Sequence, residues 1–224
     1  LSKIIPTEVE AHFRAQQTHG DVHDEGAAMF GGVAGHAGLF SNAYDLAKLY
    51  QMLLNGGVLN GKRYLKKSTI QKFTAYSSSI SRRGLGFDKP EKDNATRKEA
   101  YPSKSVSAET YGHTGFTGTC VWVDPDKELV YIFLSNRVTP TRNNNKLSQK
   151  FDSEVEKKSS EFNTSKKSKG KTVLVISHSM FSQVDELNLD SFLIEGYREL
   201  KIGRKSKSLN SNQITLDPIS KDDF

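Results

Sequence analysis

The stretch His113-Thr114-Gly115-Phe116-Thr117-Gly118 decides the reading of this chain, because it leads straight into two apolar runs. Thr119-Cys120-Val121-Trp122-Val123 is β-branched and aromatic, Asp124-Pro125-Asp126-Lys127 interrupts it, and Leu129-Val130-Tyr131-Ile132-Phe133-Leu134 resumes the apolar run. Two such runs broken by a turn read as an antiparallel hairpin. The glycine-flanked polar triplet then stands at the entry to a sheet, where a strand edge can face a ligand.

Working outward, Ser41 or Asn42 is placed to cap a helix, with Asp45 favouring its first turn. Leu46, Leu49, Tyr50, Leu53 and Leu54 recur at helical spacing, and Gly56-Gly57 ends the pattern. That stripe reads as core, not as a cofactor box, and no cofactor is expected. A second helix is expected near residues 68–75, with Ile70 and Phe73 inward. A short strand is expected at 84–87, a polar surface loop at 88–108, and a short helical turn within 6–17. Residues 26–40 are rich in glycine and alanine, which suits either a close-packed connector or a loop lying beside a ligand.

This run of motifs resembles the serine β-lactamase and penicillin-binding-protein superfamily. The third motif of that superfamily is Lys-Thr-Gly or a variant such as His-Thr-Gly, carried on a strand bordering the active site. The resemblance continues in Val22-His23-Asp24-Glu25, in Gly31-Gly32-Val33-Ala34-Gly35-His36-Ala37-Gly38-Leu39-Phe40-Ser41 and in Arg83-Gly84-Leu85-Gly86-Phe87. It looks closest to the class C-like esterase and carboxypeptidase branch, and covers roughly residues 1–148. It implies an α/β (α+β) fold, an antiparallel sheet flanked by helices. It also implies acyl transfer at amide or ester bonds of a small-molecule or peptidoglycan-like substrate. By the same resemblance His113 is an auxiliary catalytic group, and Thr114, Gly115, Phe116 and Thr117 bind substrate. Thr114 would offer its hydroxyl to a substrate carboxylate. The strand's oxyanion donor would be an amide near Phe116 or Thr117. His113 would bind a carboxylate only when protonated, since imidazole changes charge near neutral pH.

The superfamily's nucleophile is the serine of Ser-x-x-Lys, paired with a second motif such as Tyr-x-Asn. Both belong upstream of the region resembled here. Ser68-Thr69-Ile70-Gln71 has a helical setting but ends in glutamine. The formal match, Ser168-Lys169-Gly170-Lys171, comes after the triplet within a polar stretch, and no tyrosine is followed two residues later by asparagine. The expectation is a carboxy-terminal portion of such a domain over 1–150, inactive by itself. Beyond it are expected a polar linker over 151–170 and an unassigned strand–helix segment over 171–224, with a disordered tail from 203. The alternatives are a non-catalytic ligand-binding or interaction module, and a truncated or fused reading frame. In a complete domain the strand Leu129–Leu134 would border two amino-terminal strands. Without them its edge invites self-association. The β-branched run 172–176 is a candidate cover for that edge, but the expectation is that it belongs to a separate, loosely packed unit. Residues 185–200 could form an amphipathic helix.

Composition narrows the partners. The formal net charge is +6, all of it carried by residues 1–150. No arginine-rich helix or aromatic RNA-binding motif accompanies it, so a solvated lysine surface is expected and no nucleic acid. Cys120 is the single cysteine, so no internal disulfide exists. Its alternation along a strand predicts a buried thiol. No run approaches the ~20 apolar residues of a membrane span, and no basic-then-apolar leader opens the sequence. The resemblance alone implies the cell envelope or periplasm. His12, His19, His23 and His36 lie near Asp21, Asp24 and Glu25 and invite a metal reading. Gly20 interrupts the His19–His23 spacing and the His-Glu-x-x-His pattern is absent. These are read as hydrogen-bonded loop histidines, with no metal.

Overall fold

The computed structural model describes Leu1, residues 4–144 and residues 172–177. Its centre is a four-stranded sheet in the order β5-β6-β7-β8. β5 is Tyr111–Gly115, β6 Thr119–Asp124, β7 Leu129–Leu134 and β8 Thr172–Ser177. The first three run antiparallel, with Tyr111 opposite Val123 and Val123 opposite Val130. The expected hairpin is therefore present, and Glu128 takes a positive φ of 51° at its turn. β5 and β6 meet through Phe116, Thr117 and Gly118. Gly118 N–H donates to Gly115 O at 3.0 Å, and Gly118 has φ 106°. A side chain at Gly118 would strike Ser135 and Arg137.

Residue alternation gives the sheet two faces. Tyr111, Val121, Val123, Val130 and Ile132 form a buried cluster on one face, joined by Ala43. Helix α2 (Ala43–Leu54) lays Leu46, Ala47, Tyr50, Leu53 and Leu54 onto it. Full burial of a leucine side chain contributes about 1.5–3 kcal/mol, and these partly buried ones contribute less. Asn42 caps α2 by accepting from Asp45 N at 3.0 Å, and Gly57 N–H returns to Met52 O at 2.9 Å. Leu49 departs from the expected core stripe and is 43% exposed. It lies at the flank of the helix, beyond the sheet. α3 (Lys67–Thr74) buries Ile70 as expected, whereas Phe73 is exposed.

Other expectations change. Residues 6–17 form no helix but a two-stranded hairpin, β1 (Val9–Glu10) against β2 (Gln16–Gln17). The Glu10 carboxylate gathers the amides of His12, Phe13 and Arg14, a side-chain alternative that competes with helical bonding. A short helix, α1 (Glu25–Met29), is capped by Asp24, and a second hairpin pairs β3 (Val58–Leu59) with β4 (Lys62–Arg63). Residues 84–87 make a tight turn in place of a strand: Gly84 N–H donates to Phe87 O, and Gly86 has φ 91°. The pairing moves one residue on, where Asp88 bridges Gly112. The excursion 88–108 is not all surface, for Asp88 and Lys89 are each 1% exposed. Asp88 pairs with Arg82, and Lys89 Nζ donates to Thr110 O at 3.1 Å above the Tyr76 ring. Burial lowers the Lys89 pKa.

β8 runs parallel to β7, with Val130 opposite Val173 and Ile132 opposite Val175. The run 172–176 thus covers the β7 edge. The readings of 146–170, 185–200 and the tail from 203, including Ser168, fall outside the described residues. No helix among the described residues is long and apolar enough to cross a membrane.

Candidate functional site

The triplet lies on β5 itself. Pairing with β6 puts His113 opposite Val121 and Thr114 opposite Cys120. Adjacent strand residues point to opposite faces, so His113 projects on the α2 side and Thr114 on the side of Trp122 and Tyr101. The two side chains are therefore not brought together across one face. What they share is the strand edge. Gly112 exchanges backbone bonds with Asp88, at 2.7 and 3.0 Å, so its N–H and C=O point away from β6. Two residues on, the Thr114 N–H and C=O point outward as well, beyond the end of the Asp88 bridge. Gly112 is also where a Cβ would strike Val121 O and the Trp122 ring, which fixes glycine before the triplet.

His113 is held at both nitrogens. Arg83 Nη1 lies 2.8 Å from Nε2, and Thr114 O lies 2.6 Å from Nδ1. A guanidinium only donates and a carbonyl only accepts, so Nε2 is the acceptor and the proton sits on Nδ1. In that arrangement the ring is neutral, with the fixed Arg83 cation beside it. Among the described residues no carboxylate pairs with Arg83.

On the other face, Tyr101 O–H donates to Asp88 Oδ2 at 2.9 Å, and its ring meets Trp122 edge-on at 5.5 Å. Burial first, then the Asp88 charge, push the Tyr101 phenol up to about 12, while the Thr114 hydroxyl partly opposes the shift. Cys120 is 4% exposed, and burial pushes its thiol well above the ordinary range.

Past the triplet, Phe116 is 58% exposed yet gripped from two sides. Its ring stacks on His23 at 5.6 Å, and the Arg137 guanidinium lies 4.6 Å from its centroid. Arg137 N–H donates to Thr117 O at 3.0 Å, and Ser135 Oγ donates to Gly118 O at 2.6 Å. His23 is tied to Glu8 at 2.9 Å, and Arg142 joins Glu8 and Glu25 at 2.7 and 2.6 Å. Burial opposes the Glu8 charge. The Arg142 amide, the His23 ring and the Arg142 guanidinium outweigh it and hold the carboxyl below its ordinary value. Of the other histidines of the metal reading, His19 is bonded to Ile4 O and His36 to Asp24.

Sequence reading quoted Arg83 within a motif but gave it no role at the triplet, and it missed the Glu8–Arg142 cluster. Arg83 stands thirty residues before its partner, and the glycine turn after it is the local signal. Arg142 meets partners more than a hundred residues away, which leaves no pattern to read.

Comparison with known proteins points to one family. A protein of Escherichia coli (strain K12) named "Putative D-alanyl-D-alanine carboxypeptidase" is 40% identical over 127 residues, 56% of this chain and 29% of its own length. A Salmonella enteritidis PT4 protein of the same name is 39% identical over 127 residues, with the same shares covered. One from Escherichia coli O157:H7 is 43% identical over 122 residues, 54% of this chain and 27% of its own. The chain thus spans less than a third of the length of these relatives. The family model described as Beta-lactamase matches residues 6–150, which takes in the triplet, the edge strand and the Arg142 cluster. By that match this chain belongs to the β-lactamase family.

Proposed function

We propose that residues 1–144 supply the substrate-binding wall of a carboxypeptidase-like acyl-transfer site, and that the chain forms no acyl-enzyme by itself. The observation that carries this is the His113–Gly115 triplet on an exposed strand edge, its Thr114 amide turned outward and its histidine bonded to a guanidinium that has no carboxylate partner among the described residues. Gly115 carries no side chain, so an extended acyl-peptide can lie against the strand. Phe116 and Thr117 lie past the last rung of the β5–β6 ladder, where an amide can serve an oxyanion. The relatives' name points to peptides ending in D-alanine. Acylation needs a serine with a neighbouring base. The formal Ser-x-x-Lys match, Ser168–Lys171, comes after the triplet in sequence. A wall without its nucleophile gives binding and negligible turnover.

Incubation with a chromogenic cephalosporin and with p-nitrophenyl esters, then intact mass, tests the catalytic half of this reading. No covalent adduct is expected, and a stoichiometric acyl adduct on any serine would overturn it. NMR titration with an acyl-D-alanine peptide tests the binding half. Shifts should centre on His113–Thr117; shifts confined to His19 and His23 would favour a metal or surface reading.

A further inference from the structure

One stretch carries the whole basic excess of the chain. Between Asp45 and Asp88 stand eight lysines and arginines and no acidic residue, against a net charge of +6 for all 224 residues. Three of the eight have partners inside the fold. Lys48 lies 3.8 Å from Asp45, Arg82 pairs with Asp88 at 2.9 Å, and Arg83 holds the His113 ring. The other five are Lys62 and Arg63 on β4, Lys66 and Lys67 at the start of α3, and Lys72 in its last turn. All five are exposed, and among the described residues none has a carboxylate partner. Arg63 has an internal task, since it donates Nη1–H to Gly56 O at 2.8 Å and to Leu65 O at 3.0 Å. The lysines do not serve the fold in this way. Lys66 is the N-cap of α3 yet makes no side-chain capping bond, and no acidic residue stands in the first turn. Positive charge at that end of a helix opposes its dipole, so Lys66 and Lys67 cost stability there. A surface built for solubility alone mixes both signs of charge.

Apolar side chains stand among these cations and are exposed as well: Tyr64, Leu65 and Phe73. The Lys62 ammonium lies 5.2 Å from the centre of the Tyr64 ring, so charge and apolar surface are presented together. We infer that β4 and α3 form a docking surface for an anionic lipid bilayer. Lys62, Lys66, Lys67 and Lys72 meet the headgroup phosphates, and Tyr64 and Phe73 meet the boundary between headgroups and acyl chains. Basic side chains interleaved with aromatic and aliphatic ones suit that boundary, where phosphate lies beside hydrocarbon. A soluble polyanion would satisfy the charges and leave the apolar groups in water. The attraction acts within a Debye length, about 10 Å at 0.1 M salt, so the binding is peripheral and reversible. It stands independently of the ligand wall proposed above.

Flotation of the full chain with vesicles of phosphatidylcholine, and with vesicles enriched in phosphatidylglycerol, tests this. Binding should be confined to the anionic vesicles and should be released by high salt. Lys62→Gln with Lys66→Gln and Lys72→Gln should weaken it about a hundredfold, at roughly fivefold for each cation near the surface. Lys157→Gln with Lys158→Gln and Lys166→Gln removes the same charge elsewhere in the chain and should leave binding near that of the parent. Tyr64→Ser with Phe73→Ser should weaken vesicle binding about tenfold. Urea melts show that each variant folds as the parent does, and the salt and lipid comparisons on the unaltered chain need no variant. Absence of binding to anionic vesicles overturns the inference. So does equal binding to neutral vesicles, which would assign the attraction to exposed apolar groups alone. Equal losses in the two lysine variants overturn it in favour of net charge. Vesicle binding that is unchanged by the aromatic pair, with long-chain polyphosphate bound as tightly, overturns the bilayer in favour of a soluble polyanion.

Discussion

Glu8 shows what one side chain can hold together. It is 5% exposed, yet its carboxylate accepts from the His23 ring, the Arg142 amide and the Arg142 guanidinium. Through His23 it supports the Phe116 ring, and through Arg142 it links residue 8 to the chain just after the sheet. A carboxylate with its pKa lowered in the folded state adds stability above its unfolded value, and that stability fades as pH falls through the folded value. Glu8 and Glu25 are both lowered from 4.5, Glu25 chiefly by its bond to Arg142. Their contribution is thus complete near neutrality and is lost below about pH 4.5. Glu8→Gln should cost about 2 kcal/mol near neutrality, the worth of charge-assisted bonds to buried partners. It should also flatten the acid limb of the stability curve. Urea melts at neutral and acid pH check this, and a loss of equal size at both would refute the electrostatic account.

At the scale of elements, the sequence is legible where periodicity governs. The β6–β7 hairpin and the cap, core face and glycine stop of α2 are local patterns, and each is found where expected, Leu49 excepted. The triplet's position on β5 is legible by resemblance to a family. Elements set by side-chain competition or distant partners are not. The 6–17 segment forms a hairpin because one glutamate collects three amides, and 84–87 turns because its glycines allow it. The Arg83–His113 contact is hidden for the same reason, since it joins a turn to a strand thirty residues on. The run 172–176 is expected in a separate unit, and the structure corrects this by pairing it with β7. Adjacent strand residues alternate the direction of their N–H groups, so Leu174→Pro with Val175→Pro removes at least one donor from the β7 side. The double variant should expose the β7 edge and shift the chain from its parent's size to larger assemblies by light scattering. An unchanged size distribution would mean that the pairing does not protect the edge.

Over the whole molecule, the sheet's α2 face is well covered, while the glycine-rich stretch after α1 is not. Met29, Phe30, Val33, Leu39 and Phe40 are all exposed, with Phe30 at 78% and Leu39 at 83%. Apolar groups gathered on one short segment form the kind of surface that soluble proteins otherwise keep small. The backbone there is shaped by its glycines: Gly31, Gly32 and Gly38 take positive φ, and a Cβ at Gly38 would strike Gly32 O. The segment's conformation therefore does not depend on burying its bulky side chains. Phe30→Ser with Leu39→Ser should then leave folding stability within about 0.5 kcal/mol, the ordinary range for exposed positions. The same pair should reduce binding of an environment-sensitive apolar dye and raise the concentration at which the chain stays soluble. Chemical denaturation and dye fluorescence measure the two halves separately. A clear fall in stability would show that these side chains are packed in solution, and that the segment is held by burial as well as by its glycines.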